Sequence, residues 1–302
     1  MQIPIEKYPA YLVVSATVME ISPLLSRSTV LSESMTPSGA RTIKARIGNT
    51  DFHSVVTGPG VINTAHGLTV YLERYACHQK GSDEDRDNNP LLDIKKSNLN
   101  NLLIIQTGIA GFFKDSGLEM GDIAVATSET YIHTGVNREI SSCSSSCSSY
   151  PHDPLPFDLL PNRPMSRQGH FEFDSNMIRK SCATIEKGLT DFFFSASSRR
   201  WTNQNQSNPF CLMTGNFITV SAITSTTEHA DLLYNAFNCP CMESMEGAAS
   251  AHIAALYNLP FIEIRAGSNP VGIRDKKKWD IPLACLNASF ALEALLEKGE
   301  LS

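Results

Sequence analysis

The chain has 302 residues, of which 42% are hydrophobic and 19% are charged, as in an ordinary globular protein with a sizeable core. Lysine and arginine total 25 while aspartate and glutamate total 31, so the formal charge at pH 7 is −6. Nucleic-acid-binding domains usually carry a basic excess, and this balance argues against a nucleic-acid partner. The composition also excludes collagen, coiled coil and wholesale disorder, and it is typical of a metabolic enzyme.

Targeting signals and metal-binding motifs are not evident in the sequence. No stretch approaches the roughly 18 apolar residues of a transmembrane helix, and the first residues lack the apolar core of a signal peptide. The eight cysteines form no paired CxxC arrays of the kind that indicate zinc. We therefore expect a cytoplasmic protein with reduced thiols and no membrane partner.

The N-terminal part predicts a strand, a hairpin and a helix. Residues 11–16 form a short apolar run typical of a buried strand. Residues 42–47 and 53–57 predict two strands joined at Gly48-Asn49, a strong hairpin signal. Gly58-Pro59-Gly60 then forms a turn before a helix, whose apolar face is built from Val61, Ala65, Leu68 and Leu72.

Strands and helices alternate through the rest of the chain. Further strands are predicted at residues 102–106, 122–127, 210–213, 217–223 and 261–266. Further helices are predicted at residues 176–193, 228–237, 245–257 and 280–297. The strand at 102–106 ends in Thr107-Gly108-Ile109-Ala110-Gly111, which we interpret as a second glycine turn.

Two polar stretches interrupt this alternation. Residues 78–100 are charged, and residues 138–170 are rich in serine and proline, so both are interpreted as loop insertions. The rhythm of strands and helices resumes unchanged after each of them. We therefore expect a single α/β domain over residues 1–302, with a mixed, largely parallel central sheet flanked by helices.

Three polar residues follow predicted strands, where ligands gather in α/β sheets. Glu20 follows the first strand, and it is either a helix-start residue that complements the helix dipole or a general base. Glu246 either caps the helix that follows or accepts hydrogen bonds from two vicinal hydroxyl groups. Asn269 is either a turn residue or an amide that donates and accepts. We also expect a supporting ion pair between Glu243 and Arg265.

The same segments resemble a known superfamily. The purine nucleoside phosphorylase/nucleosidase superfamily has similar residues at Ala16 to Glu20, Gly58 to Gly60, Thr107 to Gly111, Gly121-Asp122, Met245 to Ala249 and Arg265 to Asn269. The similarity covers most of the chain outside the two insertions. The 5′-methylthioadenosine/S-adenosylhomocysteine nucleosidases and the futalosine hydrolases are its most similar branches, and the segment SMEGAASAHIAALYNLPFIEIRAGSNPVGIRD resembles the futalosine hydrolases in particular.

The resemblance implies a nucleoside phosphorylase-like fold, a nucleoside substrate and a role for individual residues. Glu20 corresponds to the family's water-activating carboxylate, Glu246 to its ribose-binding glutamate and Met245 to the residue beneath the sugar. Phe217 lies near the aromatic residue that stacks on the purine, although the TGNF spacing is one residue tighter than in the methylthioadenosine enzymes. Ala110 and Gly111 correspond to backbone near the base and the ribose. The resemblance also implies that no metal or organic cofactor is required and that the protein is a homodimer or a higher homo-oligomer.

Asn269 stands where adenine-cleaving relatives carry aspartate. A 6-oxopurine offers acceptors at O6 and N7, to which an amide can donate as charge develops on the leaving base. Asparagine therefore favours a hypoxanthine-type base. Glu20 in the first loop would repel phosphate, so water is the expected acceptor.

We accordingly expect hydrolysis of futalosine to dehypoxanthine futalosine and hypoxanthine, a step that the family performs in menaquinone biosynthesis. The alternatives are a 6-oxopurine nucleoside phosphorylase, an adenine-type nucleosidase and a non-enzymatic nucleoside-binding protein. The presence of both Glu20 and Glu246 counts against the last of these.

Overall fold

A computed structural model describes residues 10–77, 102–137, 152–195 and 211–298 of the chain. The predicted insertion at 78–100 lies outside the described residues, as does the 138–151 part of the second insertion. The remainder of that second insertion is more regular than its composition suggests. Among residues 152–170 it contains a two-residue strand and a short 3₁₀ helix, Pro164–Gln168, because local turns satisfy its backbone.

Twelve strands and six α-helices are described, and their bounds follow in chain order. The strands are β1 (Tyr11–Ser15), β2 (Thr29–Met35), β3 (Arg41–Ile47), β4 (Thr50–Val56), β5 (Leu103–Phe112), β6 (Ile123–Tyr131), β7 (Val136–Asn137), β8 (His152–Asp153), β9 (His170–Glu172), β10 (Leu212–Thr219), β11 (Met242–Ser244) and β12 (Phe261–Pro270). The helices are α1 (Val18–Leu25), α2 (Val61–Cys77), α3 (Ser175–Ser195), α4 (Thr227–Ala236), α5 (Gly247–Leu256) and α6 (Ile281–Lys298).

Ten of the strands form one mixed sheet in the order β11-β10-β6-β12-β5-β1-β4-β3-β2, with β9 paired to β6, and β7 and β8 form a separate two-stranded sheet. The pairs β4–β1, β1–β5 and β5–β12 are parallel, as are β6–β10 and β10–β11. Strand β11 also pairs antiparallel with β5, so β5, β12, β6, β10 and β11 close into a ring. This architecture confirms the predicted mixed α/β sheet.

Helices cover both faces of the sheet. Helices α1, α3 and α6 pack on one face in a cluster that includes Ile21, Ile185 and Leu292. Helices α2 and α5 pack on the other face with Leu68 and Ala251. The 22-residue helical stretch 276–297 is long and apolar enough to cross a membrane by composition, but 56% of its apolar window is buried in this core.

Two predicted element boundaries are wrong. The glycine turn at 107–111 is instead the second half of β5, because these residues pair with β12 from Thr107 to Gly111. The strands at 210–213 and 217–223 are one strand, β10, which has an irregularity between Gly215 and Asn216. In both cases pairing with a neighbouring strand overrides the local preference of glycine for a turn. Residue 210 lies outside the described residues.

Strand β2 and helix α1 are among the elements that were not predicted from the sequence. Strand β2 is exposed at every position, because it lies at the edge of the sheet and pairs only with β3, so it has no apolar alternation. Helix α1 is eight residues long and contains Pro23, which obscures its helical pattern.

Candidate functional site

Glu20 is fixed in the first turn of α1 by contacts to both oxygens of its carboxylate. Glu20 N donates to Thr17 Oγ1 (3.3 Å) and Thr17 N donates to Glu20 Oε2 (2.8 Å), which together form a capping box. Thr17 Oγ1 donates to the same oxygen (2.9 Å), and Ile109 N in β5 donates to Oε1 (3.1 Å). Glu20 is therefore a helix-start residue, and its buried Oε1 retains a lone pair for one further donor.

Gly108 permits the close approach of Glu20 to β5. Its φ is +146°, a conformation that favours glycine, and a Cβ atom there would lie 2.3 Å from Glu20 Oε1 and 2.9 Å from Arg265 Nη1. A side chain at this position would displace the carboxylate. Gly108 therefore lies against Glu20 and Arg265, and it does so within a strand.

Glu246 is the N-cap of α5, but its side chain caps nothing in that helix. Instead, Glu246 Oε1 accepts from Gly60 N (2.9 Å), in the turn after β4, and Oε2 accepts from Arg265 Nη2 (3.2 Å). The helix-capping alternative is therefore wrong for the carboxylate. Each oxygen retains one acceptor position, which is the arrangement that two vicinal hydroxyl groups require.

Arg265 joins the two carboxylates. Its side chain is fully buried, and Nε donates to Glu263 Oε1 (2.9 Å) while Nη1 donates to Ile109 O (3.2 Å) and lies 4.0 Å from Glu20 Oε1. The predicted ion pair between Arg265 and Glu243 is wrong. Strand alternation turns Arg265 to the same face as Glu263, whereas Glu243 accepts from the backbone and hydroxyl groups of Thr224.

Burial and charge together set the ionisation of these groups. Burial raises the pKa of Glu20 above its ordinary value, with a smaller increase from Glu246 that Arg265 opposes. Burial works against the charge of Arg265, but Glu263, Glu246 and Glu20 hold the pKa of its guanidinium above its ordinary value. Glu20 is thus a stronger base than an exposed carboxylate.

Asn269 lies farther along β12, opposite Gly111 in β5. Asn269 Nδ2 donates to Pro270 O (3.1 Å) and Oδ1 accepts from Ser268 Oγ (2.8 Å). The carbonyl of Pro270 fixes the orientation of the amide, because an oxygen facing it would have no donor. One N–H of Asn269 remains for a ligand, and a Cβ at Gly111 would lie 3.4 Å from Nδ2.

The remaining predicted site residues lie closer to the core. Ala110 and Phe217 belong to one buried apolar cluster inside the strand ring, and Phe217 is 0% exposed. The structure therefore buries the ring of Phe217 among side chains, where it presents no open face for a purine. Met245 is partly buried against the cluster of Phe113 and Ile218, next to Glu246 in the chain.

A separate cleft of about 860 Å³ opens beside β6 and β9, with His170, Asn216 and Asn238 among its lining residues. Neither Glu20, Glu246 nor Asn269 lines it. We place the candidate site where Glu20 and Glu246 lie beside Arg265, because buried ionisable groups that face one another are characteristic of functional sites.

Several residues of this site were not assigned a place in it from the sequence. Thr17 could have been found, since Thr17-x-x-Glu20 is the sequence signature of a capping box. The role of Glu263 and the central position of Arg265 could not have been found, because the sequence around a charged residue in an apolar strand does not indicate its partners.

The chain is similar to known proteins over nearly its whole length. A family model described as the phosphorylase superfamily matches residues 11–297. A futalosine hydrolase of Acidothermus cellulolyticus is 38% identical over 81 residues, which are 27% of this chain and 33% of that protein. A futalosine hydrolase of Streptomyces coelicolor is 42% identical over 67 residues, 22% of this chain and 28% of that protein. The matched segments span a third or less of either relative.

Solved structures share the fold. A 5′-methylthioadenosine/S-adenosylhomocysteine nucleosidase of Colwellia psychrerythraea, in complex with adenine, superposes with a TM-score of 0.66 at 18% identity, covering 97% of this chain and 96% of that one. The futalosine hydrolase of Helicobacter pylori gives 0.63 at 14% identity, with 95% and 97% covered. At such identities the likeness shows the fold alone.

Proposed function

The chain belongs to the phosphorylase superfamily, and we propose that it is a nucleosidase that hydrolyses the N-glycosidic bond of futalosine, releasing hypoxanthine and dehypoxanthine futalosine. The observation that carries this proposal is the pair of buried carboxylates, Glu20 and Glu246, on either side of Arg265. Local identity of 38% and 42% to two proteins named futalosine hydrolase supports the choice of substrate.

Glu246 binds the ribose in this mechanism. Gly60 N and Arg265 fix its two oxygens side by side, so each can accept one hydrogen bond from the 2′- and 3′-hydroxyl groups. Met245 and the backbone at Gly111 lie beside the sugar. A negative carboxylate beneath the ribose also stabilises the positive charge that develops as the glycosidic bond breaks.

Glu20 activates the water. Its raised pKa makes Oε1 the better proton acceptor, and the contacts from Ile109 and Thr17 hold the carboxylate in a single orientation. The water donates to Oε1 and attacks the anomeric carbon. The proton moves to Glu20 as the new carbon–oxygen bond forms.

Asn269 receives the leaving base. Its free N–H donates to O6 or N7 of a 6-oxopurine, and this hydrogen bond strengthens as the glycosidic bond breaks and its electrons move onto the base. The base leaves as an anion and takes up a proton from water, while Glu20 returns its own proton to water. Ala110 lies beside the same position. The side chain of Phe217 packs in the same buried cluster as Ala110. Phe217 could stack on the base only if its ring left this cluster.

Water is favoured over phosphate by the charges at the site. Each of the three guanidinium nitrogens of Arg265 already donates to the protein, to Glu263, Glu246 or Ile109. Arg27 pairs with Glu293 and donates to Ser289. A phosphate that approached Glu20 would therefore meet net negative charge.

The test is an assay of the purified full chain with futalosine, inosine and 5′-methylthioadenosine, each with and without phosphate. We expect phosphate-independent release of hypoxanthine from futalosine and a sugar with a free anomeric hydroxyl. A sugar 1-phosphate formed only with phosphate would instead establish a phosphorylase. Preferred cleavage of 5′-methylthioadenosine would establish an adenine-type nucleosidase.

We further propose that the protein works as a homodimer or higher homo-oligomer in the cytoplasm, in menaquinone biosynthesis. The resemblance to the futalosine hydrolases supports this proposal. Size-exclusion chromatography with light scattering measures the assembly directly, and a monomer at all concentrations would contradict it.

A further inference from the structure

Two carboxyl groups lie behind Arg265, and the reaction proposed above uses neither. Glu129 comes from β6 and Glu263 from β12, and both side chains are fully buried. Glu263 Oε1 accepts from Arg265 Nε (2.9 Å), and Glu129 Oε1 accepts from the hydroxyl group of Thr219 in β10. Glu263 therefore contacts Arg265 through Nε, whereas Glu246 contacts it through Nη2.

The two carboxyl groups surround one glycine at the start of α5. A Cβ atom on Gly247 would lie 2.4 Å from Glu263 Oε2, 2.6 Å from Glu263 Oε1 and 2.8 Å from the carboxyl carbon of Glu129. Both acids therefore pack around the same point, and only glycine leaves them the space. The N-terminus of α5 also favours negative charge at this place.

Each acid has one oxygen without a hydrogen-bond partner. Among the described residues, Glu129 Oε2 and Glu263 Oε2 are buried and accept from no donor. An unsatisfied charged oxygen in the interior is costly, and a proton on one of the two acids would remove one of these buried charges.

The carboxyl groups around Arg265 outnumber its single positive charge, which favours protonation of one of them. Four buried carboxyl groups, on Glu20, Glu129, Glu246 and Glu263, face the single guanidinium of Arg265. If all four were ionised, three negative charges would be uncompensated in a region of low dielectric constant. Two carboxylates that share one buried site usually hold one proton between them.

We propose that Glu129 holds a proton that it shares with Glu263 beneath Gly247, and that this acid pair positions Arg265 and, through it, Glu246. Glu129 is the proton carrier because Glu263 faces the guanidinium, whereas Glu129 receives only a hydroxyl group. Both are positioning residues that do not touch the substrate. The step from Arg265 to Glu246 rests on the proposed function, but the shared proton does not.

The groups that face Glu129 shift its pKa in both directions, and burial is the largest influence. Burial raises the pKa of Glu129 well above its ordinary value of 4.5, and Glu263 raises it further, while Thr219 and Arg265 oppose. Glu246, at the start of α5, also raises it. Cys241 precedes β11, and burial raises its pKa to about 12, so its thiol stays neutral.

Infrared spectroscopy tests the proton without any substrate. The wild-type protein at neutral pH should show a protonated-carboxyl C=O band that is absent from Glu129→Gln and present in Glu293→Gln, a control in which a partly exposed glutamate is lost. A Glu129→Gln spectrum identical to that of the wild type would overturn the proposal, whatever the enzyme cleaves.

Kinetics test the positioning role. Glutamine at 129 is neutral and can still donate to Glu263, so Glu129→Gln should lose less kcat/KM at neutral pH than Glu263→Gln does. Glu263→Gln removes the anionic partner of Arg265 and should lower kcat/KM about ten- to a hundredfold.

Wild-type activity should also fall at alkaline pH, where Glu129 loses its proton, and Glu129→Gln should lack this decline. Equal losses in the two variants, or an unchanged alkaline decline in Glu129→Gln, would contradict the proposal.

A further pair of variants leaves both acids in place. Thr219→Val removes the hydroxyl group that donates to Glu129, which should raise the pKa of Glu129 and move the alkaline decline to higher pH. Thr219→Ser retains the hydroxyl group and should not move it. An alkaline decline at the same pH in both variants would refute the role of Glu129. Absence of nucleosidase activity in the wild type would refute the proposed function, while the infrared result would still decide the acid pair.

Discussion

The two ends of the candidate site are built in different ways. At the charged end, Glu20, Glu246 and Arg265 are each held by groups from at least two separate elements, and all three side chains are buried. At the neutral end, Asn269 is held by Ser268 and Pro270, its immediate neighbours in β12. The charged end is therefore assembled by the tertiary structure, whereas the neutral end is preset by one strand.

This difference implies that the two ends of the site have different roles. Buried charges interact strongly with one another, so a change at the charged end should affect the rate and the stability of the whole site. A neutral amide interacts over a short range, so a change there should affect which base is accepted. Variants at the two ends should therefore differ in the property that changes as well as in the size of the change.

Glu20→Gln should lower kcat by about 10²–10⁴-fold, because loss of a general base typically costs this much. Glutamine keeps the shape of the side chain, so KM should change little. Steady-state kinetics with futalosine measure both parameters. Glu293→Gln, which removes a carboxylate paired with Arg27 outside the site, is the matched control and should retain wild-type kcat. Wild-type turnover by Glu20→Gln would assign Glu20 a structural role only.

Arg265→Met should destabilise the fold by about 3–5 kcal/mol, because removal of one partner leaves buried carboxylates uncompensated. Urea denaturation measures the free energy of unfolding. Arg27→Met removes a partly exposed ion pair and should cost only about 0–1 kcal/mol. Similar losses of unfolding free energy in the two variants would show that Arg265 stabilises the fold no more than a partly exposed ion pair does.

Asn269→Asp should lower kcat/KM for futalosine about ten- to a hundredfold, the equivalent of about 1–3 kcal/mol for a mispaired buried group. A carboxylate at this position would face both Pro270 O and the acceptors of a 6-oxopurine. Its protonated form could donate to N7 while accepting from a 6-amino group, so relative activity on 6-aminofutalosine should rise.

The diagnostic quantity for Asn269→Asp is the ratio of kcat/KM for the two substrates. Asn269→Ala should lose activity on both without changing their ratio in favour of the amino substrate. An unchanged ratio in Asn269→Asp would show that Asn269 does not select the base.

Thr17→Val should have the smallest effect, a loss of about 1 kcal/mol in the free energy of unfolding from the missing helix cap. It also removes a hydrogen bond that lowers the pKa of Glu20. Because Glu20 must be ionised to accept a proton, the acidic limb of the pH–rate profile should move to higher pH. Thr17→Ser keeps the hydroxyl group and should leave the limb in place, so a shift in both variants would contradict this explanation.

Much of the fold could be predicted from local patterns. Strand β1, helix α2 and helix α6 have apolar runs or stripes that agree with their burial. Strand β2 could not be predicted, since all of its residues are exposed and its only partner is β3. The second half of β5 was mistaken for a turn because its glycines suit both states, and only pairing with β12 selects the strand.

The candidate site was predicted in part for the same reason. Glu20, Glu246 and Asn269 are polar residues that follow apolar strands, which is a local signal. The partners of Arg265 were not predictable, because Glu246 and Glu263 both lie near it in sequence and so does Glu243, which pairs elsewhere. Burial of Phe217 inside the strand ring was equally hidden, since the ring closes only through β11.

The α/β class and the residue types available for chemistry therefore follow from the order of residues along the chain. Which of these residues contact one another depends on the packing of strands that are distant in the sequence. Ile109 N reaches Glu20 across 89 positions, and Gly60 N reaches Glu246 across 186. Such contacts depend on how parallel strands align at one edge of the sheet, and no local pattern of hydrophobic and polar residues specifies that alignment.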